Sequence, residues 1–96
     1  MDQFSSIRDA LLRLKPELTE KFNVRDIALF GSIVRSDFNN ESDIDILVDF
    51  SKPIGIEFID LADYIEAKLN RKIDLVSRNG IKDKYLKAIE KEMIYV

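Results

Sequence analysis

The sequence predicts a small α/β or α+β domain, a mixed β-sheet with helices on one or both faces. Three observations carry this prediction. Apolar residues recur at helical spacing in three separate stretches. Three stretches read as strands, one holding a continuous apolar run, one an apolar/acidic alternation and one short. The two kinds of stretch also alternate along the chain, the pattern of a sheet covered by helices.

Phe4, Ile7, Leu11, Leu14 and Leu18 recur at three- and four-residue steps, an amphipathic helix that packs against a sheet. Pro16 interrupts it, and a residue before proline avoids helical geometry. A break at Lys15 is therefore expected, with Pro16 opening a second short helix to Phe22. Val24 to Phe30 contains the apolar run Ile27-Ala28-Leu29-Phe30, which fits a central strand covered on both faces. Gly31-Ser32 ends that strand, and Ile33-Val34-Arg35 can make one or two helical turns. Ser36 to Glu41 is a loop by composition. Asp43 to Phe50 alternates, with Ile44, Ile46, Val48 and Phe50 on one side and Asp43, Asp45, Leu47 and Asp49 on the other. Lys52 to Gly55 is a turn. Phe58, Leu61, Ala62, Ile65 and Leu69 mark a helix over 56–69, with Asn70 suited to its C-terminal end. Lys72 to Ser77 is a short strand carrying Asp74. Asn79-Gly80 is a turn, Ile81 to Ile89 a last helix, and Met93 to Val96 a short extended tail.

The 96 residues are expected to form a single domain with a modest core, which leaves room for a partner or an oligomer to cover further apolar surface. The chain has no Cys and no His, which excludes thiolate nucleophiles, Ser-His-Asp machinery and ordinary structural zinc sites. A catalytic base must then be a carboxylate, Lys, Tyr or a metal-bound water. The net charge of −3 argues against direct nucleic-acid binding, which calls for a basic stripe. No apolar run is long enough to span a membrane and no signal peptide is visible, so a cytoplasmic location is expected.

Chemistry concentrates between Phe30 and Phe50. Glycine lets a backbone approach a ligand closely. The amides and hydroxyl of a Gly31-Ser32 turn suit phosphate oxygens, although a plain tight turn has the same composition. Arg35 lies one helical turn past Ser32, where it could face the same phosphate or pair with Asp37 or Glu41. Asp43 and Asp45 project from one strand face about 6.5 Å apart along the chain. Two carboxylates so placed repel unless a cation lies between them, though a solvated strand face also carries such pairs. Asp74 shifts that balance. If its strand pairs beside Asp43–Phe50, a third carboxylate joins the same sheet face, the kind of cluster that two-cation phosphoryl chemistry needs. Asp49 shares the face two pleats further on and is expected to be structural.

Gly31-Ser32, Arg35, Ser42-Asp43-Ile44-Asp45-Ile46-Leu47-Val48 and Asp74, in that order, resemble the nucleotidyltransferase superfamily that includes DNA polymerase β. The resemblance covers nearly the whole chain and is greatest to the minimal nucleotidyltransferases (MNT), which consist of the catalytic domain alone. It implies a polymerase β-like nucleotidyltransferase fold. It also implies that Gly31 and Ser32, with Arg35 and Ser42, hold a nucleoside triphosphate, and that Asp43, Asp45 and Asp74 ligate two Mg²⁺. Asp74 would help deprotonate the attacking hydroxyl. The implied reaction moves AMP from ATP to a hydroxyl, releasing pyrophosphate. MNT-like proteins resemble antitoxins of HEPN-domain ribonuclease toxins, which they inactivate by adenylylating a tyrosine, so a HEPN-domain toxin is the implied partner. The alternative is a non-catalytic subunit that neutralises its partner, or senses a nucleotide, by binding alone.

Overall fold

A computed structural model describes residues 3–35 and 37–96. Met1, Asp2 and Ser36, the first residue of the expected loop, lie outside the described residues. The elements in chain order are α1 (Gln3–Phe22), β1 (Val24–Phe30), a single 3-10 turn (Gly31–Ile33), β2 (Ile44–Phe50), α2 (Glu57–Leu69), β3 (Ile73–Ser77), α3 (Asp83–Glu90) and β4 (Ile94–Tyr95). The four strands form one sheet in the order β3-β2-β1-β4. β1 is antiparallel to both β2 and β4, whereas β2 and β3 run parallel, joined by α2 as the crossover. The sheet is thus mixed, as expected.

One face of the sheet forms the main core. Ile27 and Leu29 of β1 and Ile44, Ile46 and Val48 of β2 pack with Ile7, Leu11 and Leu18 of α1 and Leu61 and Ile65 of α2. Ala28 and Leu47, on the opposite face of the two central strands, are fully buried as well. Burial on both faces explains the unbroken apolar run in β1. The chain must travel from β3 at one edge to β4 at the other, and α3 makes that crossing. Contacts of Arg78 with Glu90, with the Tyr95 hydroxyl and with Asp49 place the crossing on the face that carries the acidic residues.

Pro16 does not break the first helix. α1 runs unbroken through it to Phe22, contrary to the expected break at Lys15. A proline at position 16 deprives the Leu12 carbonyl of its helical donor. Both residues lie on the exposed side of α1, where water can serve that carbonyl, while Leu11 and Leu18 on the inner side remain fully buried. Tertiary packing holds the helix together across a locally unfavourable residue. Asn70 ends α2 in the left-handed conformation, φ 55° and ψ 40°, as its type suggested. Asn23 does the same after α1, at φ 59°. Among the described residues, no helix is long and apolar enough to cross a membrane.

Candidate active site

The sheet register assembles the site. In the β1–β2 pair Phe30 lies opposite Asp45, and in the parallel β2–β3 pair Asp45 lies opposite Asp74. The third carboxylate therefore sits one strand over from the second, with Asp43 just before β2 on the exposed side. The register thus brings Asp74, distant in sequence, beside Asp45 on the sheet, with Asp43 just ahead of Asp45 in the chain.

Gly31 follows Phe30 and lies against this face. Its φ is +76°, and a Cβ built on it would fall 2.0 Å from an Asp45 carboxylate oxygen. Both the backbone angle and the space exclude a side chain there. The Gly31 carbonyl accepts from the amides of Val34 (3.0 Å) and Arg35 (3.1 Å), closing the turn that aims Arg35 back at the site. The Arg35 guanidinium contacts Asp37 through Nε at 3.3 Å, one of its two expected partners. Ser32 is half-buried beside it in the 3-10 turn.

The electrostatics single out Asp45. Its pKa is raised to about 6 by burial first, then by the charges of Asp74 and Asp43, with Arg35 opposing the shift and Glu92 adding to it. A carboxylate held among like charges is a group that gains from a cation. The donor set, hard carboxylate oxygens only, matches Mg²⁺. Yet among the described residues no three carboxylate side chains close into a ready-made metal cluster. The fit of a cation thus rests on the shared sheet face and the charge coupling.

Other expected residues have structural partners. The Ser42 hydroxyl accepts from the Asn39 amide at 3.1 Å, and the Ser42 carbonyl accepts from Arg71 at 3.2 Å, so Ser42 helps shape the loop that delivers Asp43. Asp49 is buried and pairs with Arg25 and, at 3.9 Å, with Arg78; it ties β1 and β2 to the segment after β3. The structural expectation for Asp49 holds. A cavity of about 590 Å³ lies beyond the far end of β2, lined by Phe50, Pro53, Ile54, Phe58, Val76 and neighbours, away from the carboxylates.

One residue at the site was not foreseen. Glu92 accepts from the Gly31 amide at 3.0 Å and from Arg35 Nη1 at 3.1 and 3.2 Å through its two oxygens. β4 explains its position. Leu29 pairs with Ile94 and Ala28 with Tyr95. Continuing that antiparallel register by two residues brings position 92 beside position 31. The extended tail was legible in the sequence, but its pairing with β1 was not, and only the pairing identifies Glu92.

Comparison with known proteins agrees with this geometry. A family model described as a nucleotidyltransferase domain matches residues 11–96. The protein adenylyltransferase MntA of Thermococcus cleftensis is 43% identical over 91 residues, covering 94% of this chain and 92% of the relative. A Methanocaldococcus jannaschii chain assigned as a protein adenylyltransferase is 44% identical over 98 residues, all of both chains. The fold is also that of a solved structure assigned as a minimal nucleotidyltransferase, with TM-score 0.80 and 24% identity, covering 98% of this chain and 95% of the other. A Shewanella oneidensis complex of a tri-AMPylated HEPN toxin with an MNT antitoxin shares it too, with TM-score 0.71 and 20% identity, covering 97% and 71%. Asp45 lies opposite Asp74 where the glycine turn meets the sheet, and the family match spans all of these residues: the chain is a member of the nucleotidyltransferase domain family.

Proposed function

We propose that this nucleotidyltransferase is a protein adenylyltransferase that moves AMP from ATP to a hydroxyl, a tyrosine, of a HEPN-type toxin and so acts as its antitoxin. One observation carries the site assignment: Asp45, beside Asp74 and against the one glycine that leaves room for it, has its pKa raised to about 6 by burial and by like charges. A surface with only a binding role has no reason to gather such charges. Relatives named as protein adenylyltransferases, matched over nearly their full length, and a neighbour described as an antitoxin with its AMPylated toxin, support the acceptor class.

In this reading the Gly31 amide, Ser32 and the Arg35 guanidinium hold triphosphate oxygens. Asp43, Asp45 and Asp74 would hold two Mg²⁺, which when bound neutralise charge on the reacting phosphate. The acceptor oxygen bonds to the α-phosphorus as the bond to the β-phosphate bridge breaks, and pyrophosphate leaves. With no His in the chain, Asp74, exposed at the edge of the carboxylate group, receives the hydroxyl proton. Asp43 and Asp74 are exposed and Asp45 is partly so, which suits an acceptor presented by another protein.

Co-expression with the product of the adjacent gene, followed by intact mass spectrometry of that product, tests this function. The expected result is one or more added AMP residues, absent with Asp45→Asn. A partner that is neutralised with its mass unchanged would favour the binding-only alternative.

A further inference from the structure

Glu92 occupies the cradle proposed above for the triphosphate, and we propose that its carboxylate is a built-in competitor that ATP must displace. This depends on Gly31 and Arg35 holding the nucleotide. A carboxylate offers two oxygens to the same donors that a phosphate would use. Here those donors are the Gly31 amide at 3.0 Å and Arg35 Nη1 at 3.1 and 3.2 Å. The contact is not a comfortable salt bridge. Glu92 adds its charge to that of Asp43 and Asp74 around Asp45, and Arg35 is the cation that offsets it. Once Arg35 turns to a triphosphate, Glu92 faces the triphosphate's own negative charge uncompensated and repulsion drives it outward.

The fold permits that motion cheaply. Arg35 is half-exposed, so its guanidinium can turn. Glu92 stands between α3, which has no fully buried residue, and β4, a two-residue edge strand whose residues are both exposed. Segments with so little buried surface open at low cost. The consequence is a nucleotide site that is satisfied when empty, with Arg35 and the Gly31 amide kept ordered for the next triphosphate. Its affinity for ATP is lower than the cradle alone would give.

The test is calorimetric titration of ATP with Mg²⁺ into the wild-type chain, Glu92→Gln and Glu92→Ala, with the Gly31 amide resonance followed by NMR. Losing a half-exposed ion pair as competitor should tighten ATP binding roughly three- to tenfold in both variants. The Gly31 amide should differ between free wild type and free Glu92→Ala, and converge on one position when ATP is bound. Unchanged or weaker binding in both variants overturns the competitor role and makes Glu92 a brace for the C-terminal segment. No ATP binding by wild type and variants alike overturns the nucleotide assignment of Gly31 and Arg35 together with it. Wild-type binding without a gain in the variants overturns the competitor alone.

Discussion

Asp45→Asn should stabilise the protein while abolishing nucleotide transfer. The Asp45 pKa stands at about 6 rather than 3.8. Between those values the folded chain binds the proton more tightly than the unfolded chain does. The Asp45 term therefore favours folding below its unfolded pKa and is lost as pH rises through about 6. A shift of about 2 units corresponds to roughly 3 kcal/mol at about 1.4 kcal/mol per unit. The carboxyl is only partly buried, so solvent screening reduces this to about 1–2 kcal/mol. An amide of the same shape escapes the penalty. At about pH 7, with a chelator present, the variant should melt on the order of 5–10 °C above wild type. The gap should narrow below about pH 6 and close below about pH 3, where Asp45 is neutral in both states. Added Mg²⁺ should raise the wild-type Tm and leave the variant unmoved, because the cation supplies what the substitution supplies. Thermal melts across pH, followed by circular dichroism, measure all of this. A variant no more stable than wild type at neutral pH, or a gap that persists in acid, would refute the charge-crowding argument.

The remaining predictions concern packing and the backbone. Gly31→Ala should cost at least about 2 kcal/mol, because its Cβ meets an Asp45 oxygen at 2.0 Å and its φ is +76°; chemical denaturation reads the loss, and transfer should disappear with it. Asp49→Ala should lower stability by about 1–3 kcal/mol by leaving Arg25 and Arg78 without their shared carboxylate, while the residual folded protein keeps its affinity for ATP. Pro16→Ala should raise stability by about 1–2 kcal/mol, since it restores a helical donor to the Leu12 carbonyl inside an unbroken α1; a fall in Tm would mean that the proline serves a contact of its own.

Local rules were enough where one face of one element decided the outcome. The alternation of Ile44, Ile46 and Val48 with Asp45, Leu47 and Asp49 placed β2 correctly, and the face it assigned to Asp45 is the one that meets Asp74. The strand pairing itself was an expectation, and it was realised because a short strand following a crossover helix lies parallel beside the first strand. Pro16 misled because its rule is local, whereas α1 is held by Ile7, Leu11 and Leu18 against the sheet. Glu92 was invisible because it belongs to the site only through β4, and a two-residue edge strand leaves almost no pattern in sequence. Ser42 carried a motif position, yet its hydroxyl is engaged by its own loop. A dipeptide pattern cannot distinguish a ligand contact from a turn bond.

The reaction proposed for the Asp43, Asp45 and Asp74 site is transfer of a nucleoside monophosphate. Parallel reactions with ATP labelled at the α- or at the γ-phosphate, in Mg²⁺ with the partner protein as acceptor, test it most directly. The α-label should become covalently attached to the partner, the γ-label should leave as pyrophosphate, and neither should happen with Asp45→Asn. Attachment of the γ-label, or α-label transfer undiminished in Asp45→Asn, would contradict it.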